Sequence, residues 1–323
     1  MLFPKVTLVD TSSLVYQSVL AKHAQEMSQY AKHPLAGPVY LLMQSIRKLV
    51  NDLPPPIFVF DGYPQHKYNI YPEYKNRGHT PDKEVVPGLS RSLLWEFFDA
   101  FFRLLPCSVT RVAEAEADGV IASLTHFFHS KGWKVNVVTK DQDLFALHGM
   151  ADIQYLHHKK GRMKVDDDYF REAYGDITPE QVQVYKAFFG DASDNLPRVS
   201  RVPSKLLYNH VIKDVTTFHK AMANIQANAE ALGNWHQPLM DWVIQGEINY
   251  KVAELEYDHE PLIEISRGFE KELQEIFNKL LVNKFTAAEI IELMRPGSDA
   301  LDISLDNTGL ELKRLYKGAE DAT

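Results

Sequence analysis

Eight acidic residues stand out by where they fall in the chain. Asp10 ends the apolar run VTLVD, Asp61 ends IFVFD, and Asp141 and Asp143 follow a third such run in VVTKDQD. Glu116 and Asp118 lie in AEAEADG at the start of a helical pattern, and Asp191 and Asp194 sit three apart in GDASDNLP. Helix capping or turn formation explains any one aspartate of this kind. It explains the set poorly, because three strand ends each delivering a carboxylate to one edge crowd negative charge into a small volume. Such crowding is unfavourable unless cations neutralise it, and hard carboxylate oxygens suit Mg2+ or Mn2+.

The elements that position these acids are legible in the first half of the chain. Short β-branched runs, VTLVD (6–10), IFVFD (57–61), SVTRV (108–112), VNVVT (135–139) and IQYL (153–156), read as strands. Helical patterns at 39–50, 92–105 and 116–128 alternate with them, the mark of a parallel α/β sheet. Ligands bind such sheets at the C-terminal strand edge, where the acids fall. Leu93, Leu94, Phe97, Phe98, Phe101 and Phe102 recur at helical spacing and predict a buried helix face. From about residue 165 helical patterns dominate. The expected organisation is an α/β core over 1–170, a helical region over 171–295, and a polar, turn-rich tail over 296–323 that packs peripherally or frays.

Bulk properties narrow the function classes. The chain of 323 residues is 45% apolar, ordinary for a globular protein, and shows no run near the roughly 20 apolar residues that span a bilayer. Cys107 is the single cysteine, which excludes an intramolecular disulfide and a cysteine-rich zinc site. The N-terminus meets Asp10 before a signal-like apolar core can form, so a cytoplasmic location is expected, nucleoid-associated or in a host cytoplasm if phage-encoded. A net charge of −8 argues against a simple DNA-coating protein. It is compatible with a carboxylate metal site that masks a basic track elsewhere.

LVDTSSLVY at Asp10, VFDG at Asp61, EAEADGVIASL at 114–124, TKDQDLFAL at 139–147 and GDASDNLP at 190–197, in this order, resemble the 5′-3′ exonuclease and flap endonuclease family. Weaker similarity continues through 257–281. The resemblance implies a PIN-like nuclease core, a helical arch near 62–91 and a C-terminal helix–turn–turn–helix region. It implies two Mg2+ ions, replaceable by Mn2+. Asp10, Asp61, Glu116, Asp118 and Asp141 match the acids around the first, and Asp143, Asp191 and Asp194 those of the second. Metals about 4 Å apart would act on the scissile phosphate, with Asp141 central to catalysis, Lys75 as a fixed positive charge and Arg77 as a positioning group. Lys67, Tyr74, Lys83, Arg198, Arg201 and Lys205 are the expected DNA contacts. The implied partner is DNA with 5′ single-stranded flaps or ends, with RNA–DNA hybrids as a further substrate, no membrane, and a monomeric, free-standing enzyme. The alternatives are a DNA-junction binding protein that has lost catalysis and a PIN-like ribonuclease acting on single-stranded RNA.

Two departures from the family pattern bear on the site. Gly119 stands where bacterial members usually carry a second aspartate after Asp118. Arg198, Arg201 and Pro203 stand where the family is glycine-rich, which puts backbone-mediated binding of phosphate and of a K+ ion in doubt.

Overall fold

The computed structural model describes residues 4–75, 84–86, 88–157 and 160–315. Its strands are β1 (Lys5–Asp10), β2 (Pro56–Phe60), β3 (Glu84–Val86), β4 (Leu89–Ser90), β5 (Ser108–Arg111), β6 (Lys134–Thr139), β7 (Asp152–His157), β8 (Gly161–Lys164), β9 (Ile263–Ser266) and β10 (Leu312–Leu315). Eight of them form one sheet in the order β10-β9-β5-β2-β1-β6-β7-β8, while β3 and β4 pair as a separate antiparallel ribbon. β1 lies at the centre, parallel to β2 on one side and to β6 on the other. Antiparallel pairing enters only where β9 meets β5 and where β8 turns back on β7.

The apolar runs form central strands because both faces of the sheet are covered. Val6 and Leu8 of β1, Ile57 and Val59 of β2, and Val135 and Val137 of β6 join one core. Their neighbours Val9, Phe58, Phe60 and Val138 point the other way into a second core, as the two-residue period of a strand requires. The helix Ala117–Ser130 packs on the first face, and the helices Ala36–Asp52 and Arg91–Leu104 cover the second. The Arg91–Leu104 face is narrower than its periodicity predicts. Leu94, Phe98, Phe101 and Phe102 are buried, but Leu93 is 52% exposed.

Beyond residue 165 helices dominate, yet the chain returns to the sheet. β9 inserts beside β5, and β10 adds a parallel edge strand to β9. The expected break at 295/296 is therefore corrected: one helix, Ala287–Leu305, runs through Pro296. Its start is fixed by a reciprocal capping box in which Thr286 accepts from Glu289 N and Glu289 accepts from Thr286 N. Of the tail expected to pack peripherally or fray, the described part packs: the Arg314 guanidinium bonds Asp302 at 2.6 Å and also pairs with Asp306. Within 62–91, the described part of the expected arch is the short helix Gln65–Ile70 and the β3–β4 ribbon. The helix–turn–turn–helix expectation meets the helix Val182–Phe189, a loop over 190–203, and the helical turn Ser204–Leu207.

Candidate active site

Because β1, β2 and β6 run parallel, their C-terminal ends share one edge of the sheet, and Asp10, Asp61 and Asp141 arrive there together. All three line a cleft of about 820 Å³ with Glu116, Asp118, Asp143 and Asp191. Asp10 also caps the helix Thr11–Val19, accepting from Ser13 N at 3.0 Å, from the Ser13 hydroxyl, and from Thr139 Oγ1 at 3.0 Å. The capping explanation thus holds for this residue without removing it from the site. Asp61 accepts from Ala117 N at 2.9 Å and from the Ser12 hydroxyl. Asp141 accepts from Asp143 N at 2.9 Å. Burial, then the Asp61 charge, push the Asp10 carboxyl up to about 6. Burial, followed by the Asp143 charge, raises Asp141 well above the ordinary carboxylate range. Burial outweighs Lys67 in raising Asp118.

Glu116 sits at the N-cap of the helix Ala117–Ser130 but makes no capping bond. Its carboxylate instead accepts from Lys67 Nζ at 2.9 Å, Tyr74 OH at 2.7 Å and Lys75 Nζ. Burial pushes this carboxyl up, but Lys67, Lys75 and the hydrogen bonds from Lys75 and Tyr74 prevail and hold it at about 2. Two expectations are corrected here. Lys67 and Tyr74, expected at the DNA surface, are buried against Glu116, and Tyr74 is only 1% exposed. The helix Gln65–Ile70 brings the Lys67 ammonium against this buried carboxylate, a pair in which losing either partner would be costly. Lys75 lines the cleft.

The remaining acids come from the helical half. The ladder pair Asp191 N→Leu196 O (2.9 Å) and Leu196 N→Asp191 O (2.8 Å) closes the GDASDNLP loop. Gly190, at φ +66°, is required there: a Cβ would lie 2.5 Å from Leu196 O. Buried Asn249 donates to Pro197 O at 2.8 Å, fixing the loop to the helix Val243–Val252. Lys75 N donates to Asp194 O at 3.1 Å and Asn195 Nδ2 to Glu73 O at 2.9 Å, which stitches the loop to the base of the arch segment. As a result Asp143, Asp191 and Asp194 offer carboxylate oxygens within 4.8 Å of one another. Asp194 is buried and does not line the cleft. Burial pushes it up to about 7 although Lys75 opposes the shift. For Asp191, Lys186 overcomes the effect of burial and lowers the carboxyl.

Lys186 escapes the sequence reading. It is the lone charge in VQVYKAFF, five residues before Asp191, and its ammonium bonds Asp191 at 2.7 Å and Asp143. A single cation in an otherwise apolar helix next to an acidic loop is the signal that could have found it. Lys140 and Arg91 also line the cleft, and Glu114 is exposed outside it. Arg198 is exposed, with its guanidinium 5.0 Å over the Phe189 ring and a 2.8 Å bond to Ser204 Oγ. Arg201 and Lys205 are exposed on the same loop and turn. Arg77 and Lys83 lie outside the described residues.

Eight carboxylates thus meet the ammoniums of Lys67, Lys75, Lys140 and Lys186 and the Arg91 guanidinium, an excess of negative charge in one place. Oxygen-only donors with burial-raised carboxyls fit hard divalent cations. Against known families, residues 5–175 match the model described as 5′-3′ exonuclease, N-terminal resolvase-like domain. The thermostable DNA polymerase I of Thermus aquaticus is 32% identical over 203 residues, which cover 62% of this chain and 23% of that protein. The chain therefore spans about a quarter of the length of its polymerase relatives. The 5′-3′ exonuclease of Buchnera aphidicola subsp. Acyrthosiphon pisum (strain APS) is 26% identical over 202 residues, 62% of this chain and 67% of that protein. The fold matches the bacteriophage T5 flap endonuclease in a pseudo-enzyme–product complex with DNA and metal ions. That match has a TM-score of 0.59 at 15% identity, over 91% of this chain and 99% of that one. The catalytic core of Rad2 in complex with DNA substrate matches at a TM-score of 0.51 and 16% identity, over 92% and 93% of the two chains. With the matched segment spanning six of the sheet's eight strands and the edge where Asp10, Asp61, Glu116, Asp118, Asp141 and Asp143 converge, the chain belongs to the 5′-3′ exonuclease family.

Proposed function

We propose that this protein is a metal-dependent 5′ nuclease that hydrolyses DNA phosphodiesters, as a 5′-3′ exonuclease with structure-specific flap endonuclease activity. The observation that carries the reading is the convergence of carboxylates from β1, β2, β6 and the GDASDNLP loop beside Lys75. Asp10, Asp61, Asp118 and Asp141, with Glu116, would hold one Mg2+ ion, and Asp143, Asp191 and Asp194 a second, with Mn2+ able to substitute. Bound divalent ions supply Lewis-acid stabilisation of the phosphoryl oxygens and a lowered pKa for the attacking water. Lys75, on the cleft wall, places a fixed positive charge where charge develops on the scissile phosphate. Glu116 keeps that ammonium in place, and Tyr74 and Lys67 keep Glu116 ionised. The buried hydroxyls of Ser13 and Thr139 hold Asp10 facing the cleft.

The substrate in this reading is DNA with 5′ single-stranded flaps or ends, with RNA–DNA hybrids also accepted and the protein acting as a monomer. Arg198, Arg201 and Lys205 are its duplex contacts through side chains, and Arg77 and Lys83 belong to the arch. The reading assigns no K+ ion, because side chains stand at the glycine places. Cleavage of a 5′-labelled flap duplex in Mg2+ tests it. Cutting near the junction that leaves a 5′-phosphate, stops in EDTA and disappears in Asp141→Ala supports the nuclease. Tight flap binding by pure wild type with no cutting in Mg2+ or Mn2+ overturns it in favour of a junction-binding protein.

A further inference from the structure

The Asp143, Asp191 and Asp194 carboxylates already hold a cation that belongs to the chain. Lys186 projects from the helix Val182–Phe189, its side chain is only 5% exposed, and its ammonium bridges Asp143 and Asp191. Those two acids and Asp194 are the group whose oxygens all lie within 4.8 Å of one another. An ammonium bonded to two of the three carboxylates competes for oxygens that an ion shared by all three would need. At the sheet edge the situation differs. Asp10, Asp61 and Asp141 receive hydroxyl and backbone N–H donors, with no lysine ammonium bonded to them among the described residues, and the ammoniums of Lys67 and Lys75 reach only Glu116 of the first ion's acids.

We propose that Lys186 is a tethered counter-cation that occupies the second ion position in the metal-free protein, so that the second divalent ion binds only by displacing it. This rests on the reading of the cluster as a divalent-metal centre. A monovalent ammonium and a divalent ion that share one carboxylate repel strongly in a poorly solvated site. Either the ammonium withdraws on its four-carbon stem or the ion stays out. Withdrawal need not disturb the backbone: Ala187 O, next in the chain, accepts from Trp242 Nε1 at 2.9 Å and from Asn249, which pins the helix. The two ions therefore bind unequally. The sheet-edge ion enters first, and the lysine sets the concentration at which the second follows.

Calorimetric Mn2+ titration of the full chain, with electron paramagnetic resonance to count bound ions, tests this. Wild type is expected to bind one ion tightly and a second at least about tenfold more weakly. Lys186→Met is expected to tighten the second ion by about tenfold while moving the first by less than about threefold, and Lys186→Arg to keep the wild-type gap. A second measurement needs no variant: amine acetylation read by mass spectrometry finds Lys186 protected without metal and reactive at saturating Mn2+. Two-ion binding whose second affinity is unchanged or weakened in Lys186→Met overturns the proposal alone, as does acetylation of Lys186 that ignores Mn2+. Wild type that binds no Mn2+ overturns the metal-centre reading, and this proposal falls with it.

Discussion

The carboxylates at the sheet edge and those on the helical side are kept apart in energy by what neutralises them. At the sheet edge the donors are dipoles. Asp10 is served by Ser13 and Thr139, Asp61 by Ser12 and Ala117 N, and Asp141 by Asp143 N. Around Glu116 and Asp191 ammoniums join the donors, from Lys67, Lys75 and Lys186, beside the Tyr74 hydroxyl and Ser193 N. Dipoles leave the charge in place, so Asp10 rises to about 6, first through burial and then through Asp61. Ammoniums cancel it, so Glu116 stays at about 2 despite burial. The parallel sheet fixes acids at its edge, while the ammoniums bonded to Glu116 and Asp191 reach in from elements beside it, Lys67 and Lys186 from helices and Lys75 from a turn.

Removing a charge from each side separates them most sharply. Asp10→Asn is expected to lower flap cleavage by on the order of 10²–10³, and Asp191→Asn by less, because Lys186 keeps Asp143 as a partner. Equal losses in single-turnover assays would erase the distinction. Lys75→Ala is expected to cost roughly 10² in the cleavage rate, with flap affinity in EDTA reduced far less.

Stability sharpens the same contrast. Lys67→Met leaves Glu116 short of one buried cation and is expected to cost about 3–5 kcal/mol in urea unfolding. Ser13→Ala removes a hydroxyl from Asp10 and is expected to cost only about 1–3 kcal/mol. A reversed order would mean that the dipoles, not the ammoniums, hold the site together.

The smallest effect is one of pH. Asp10 and Asp194 have folded values of about 6 and 7 against 3.8 for an unperturbed aspartate, so the folded protein keeps protons that the unfolded chain has released. Their contribution is full below 3.8 and is lost as pH rises through 6 and 7. Glu116 acts oppositely: its contribution is present above 4.5 and is lost as pH falls toward 2. In EDTA the melting temperature is expected to be higher at about pH 5 than at about pH 8, and saturating Mg2+ is expected to flatten that slope. A flat profile in EDTA would show the sheet-edge acids already neutralised without metal.

How much of this was legible depended on how local the cause was. The five strands of the first half, and the acids that end or follow three of them, could be read because a short apolar run and the residue after it are local facts. β9 and β10 could not: IEIS and LKRL are four residues long and half polar. They become strands only because β5 and then β9 offer an edge to pair with, and the charged LKRL suits the sheet's outer edge. Pro296 reads as a breaker, yet the Thr286 cap and the packing of Met294, Ser298 and Leu301 carry the helix through it.

The site divides along the same line. The sequence by itself determined that Asp10, Asp61 and Asp141 reach the cleft, since a strand-end aspartate in a parallel sheet has one edge to go to. Only the tertiary structure decided their partners. Lys67 lies 49 residues from Glu116 and Lys186 43 from Asp143, separations that carry no local signature. A buried carboxylate takes whatever cation the packing brings within reach, and that choice is made in three dimensions.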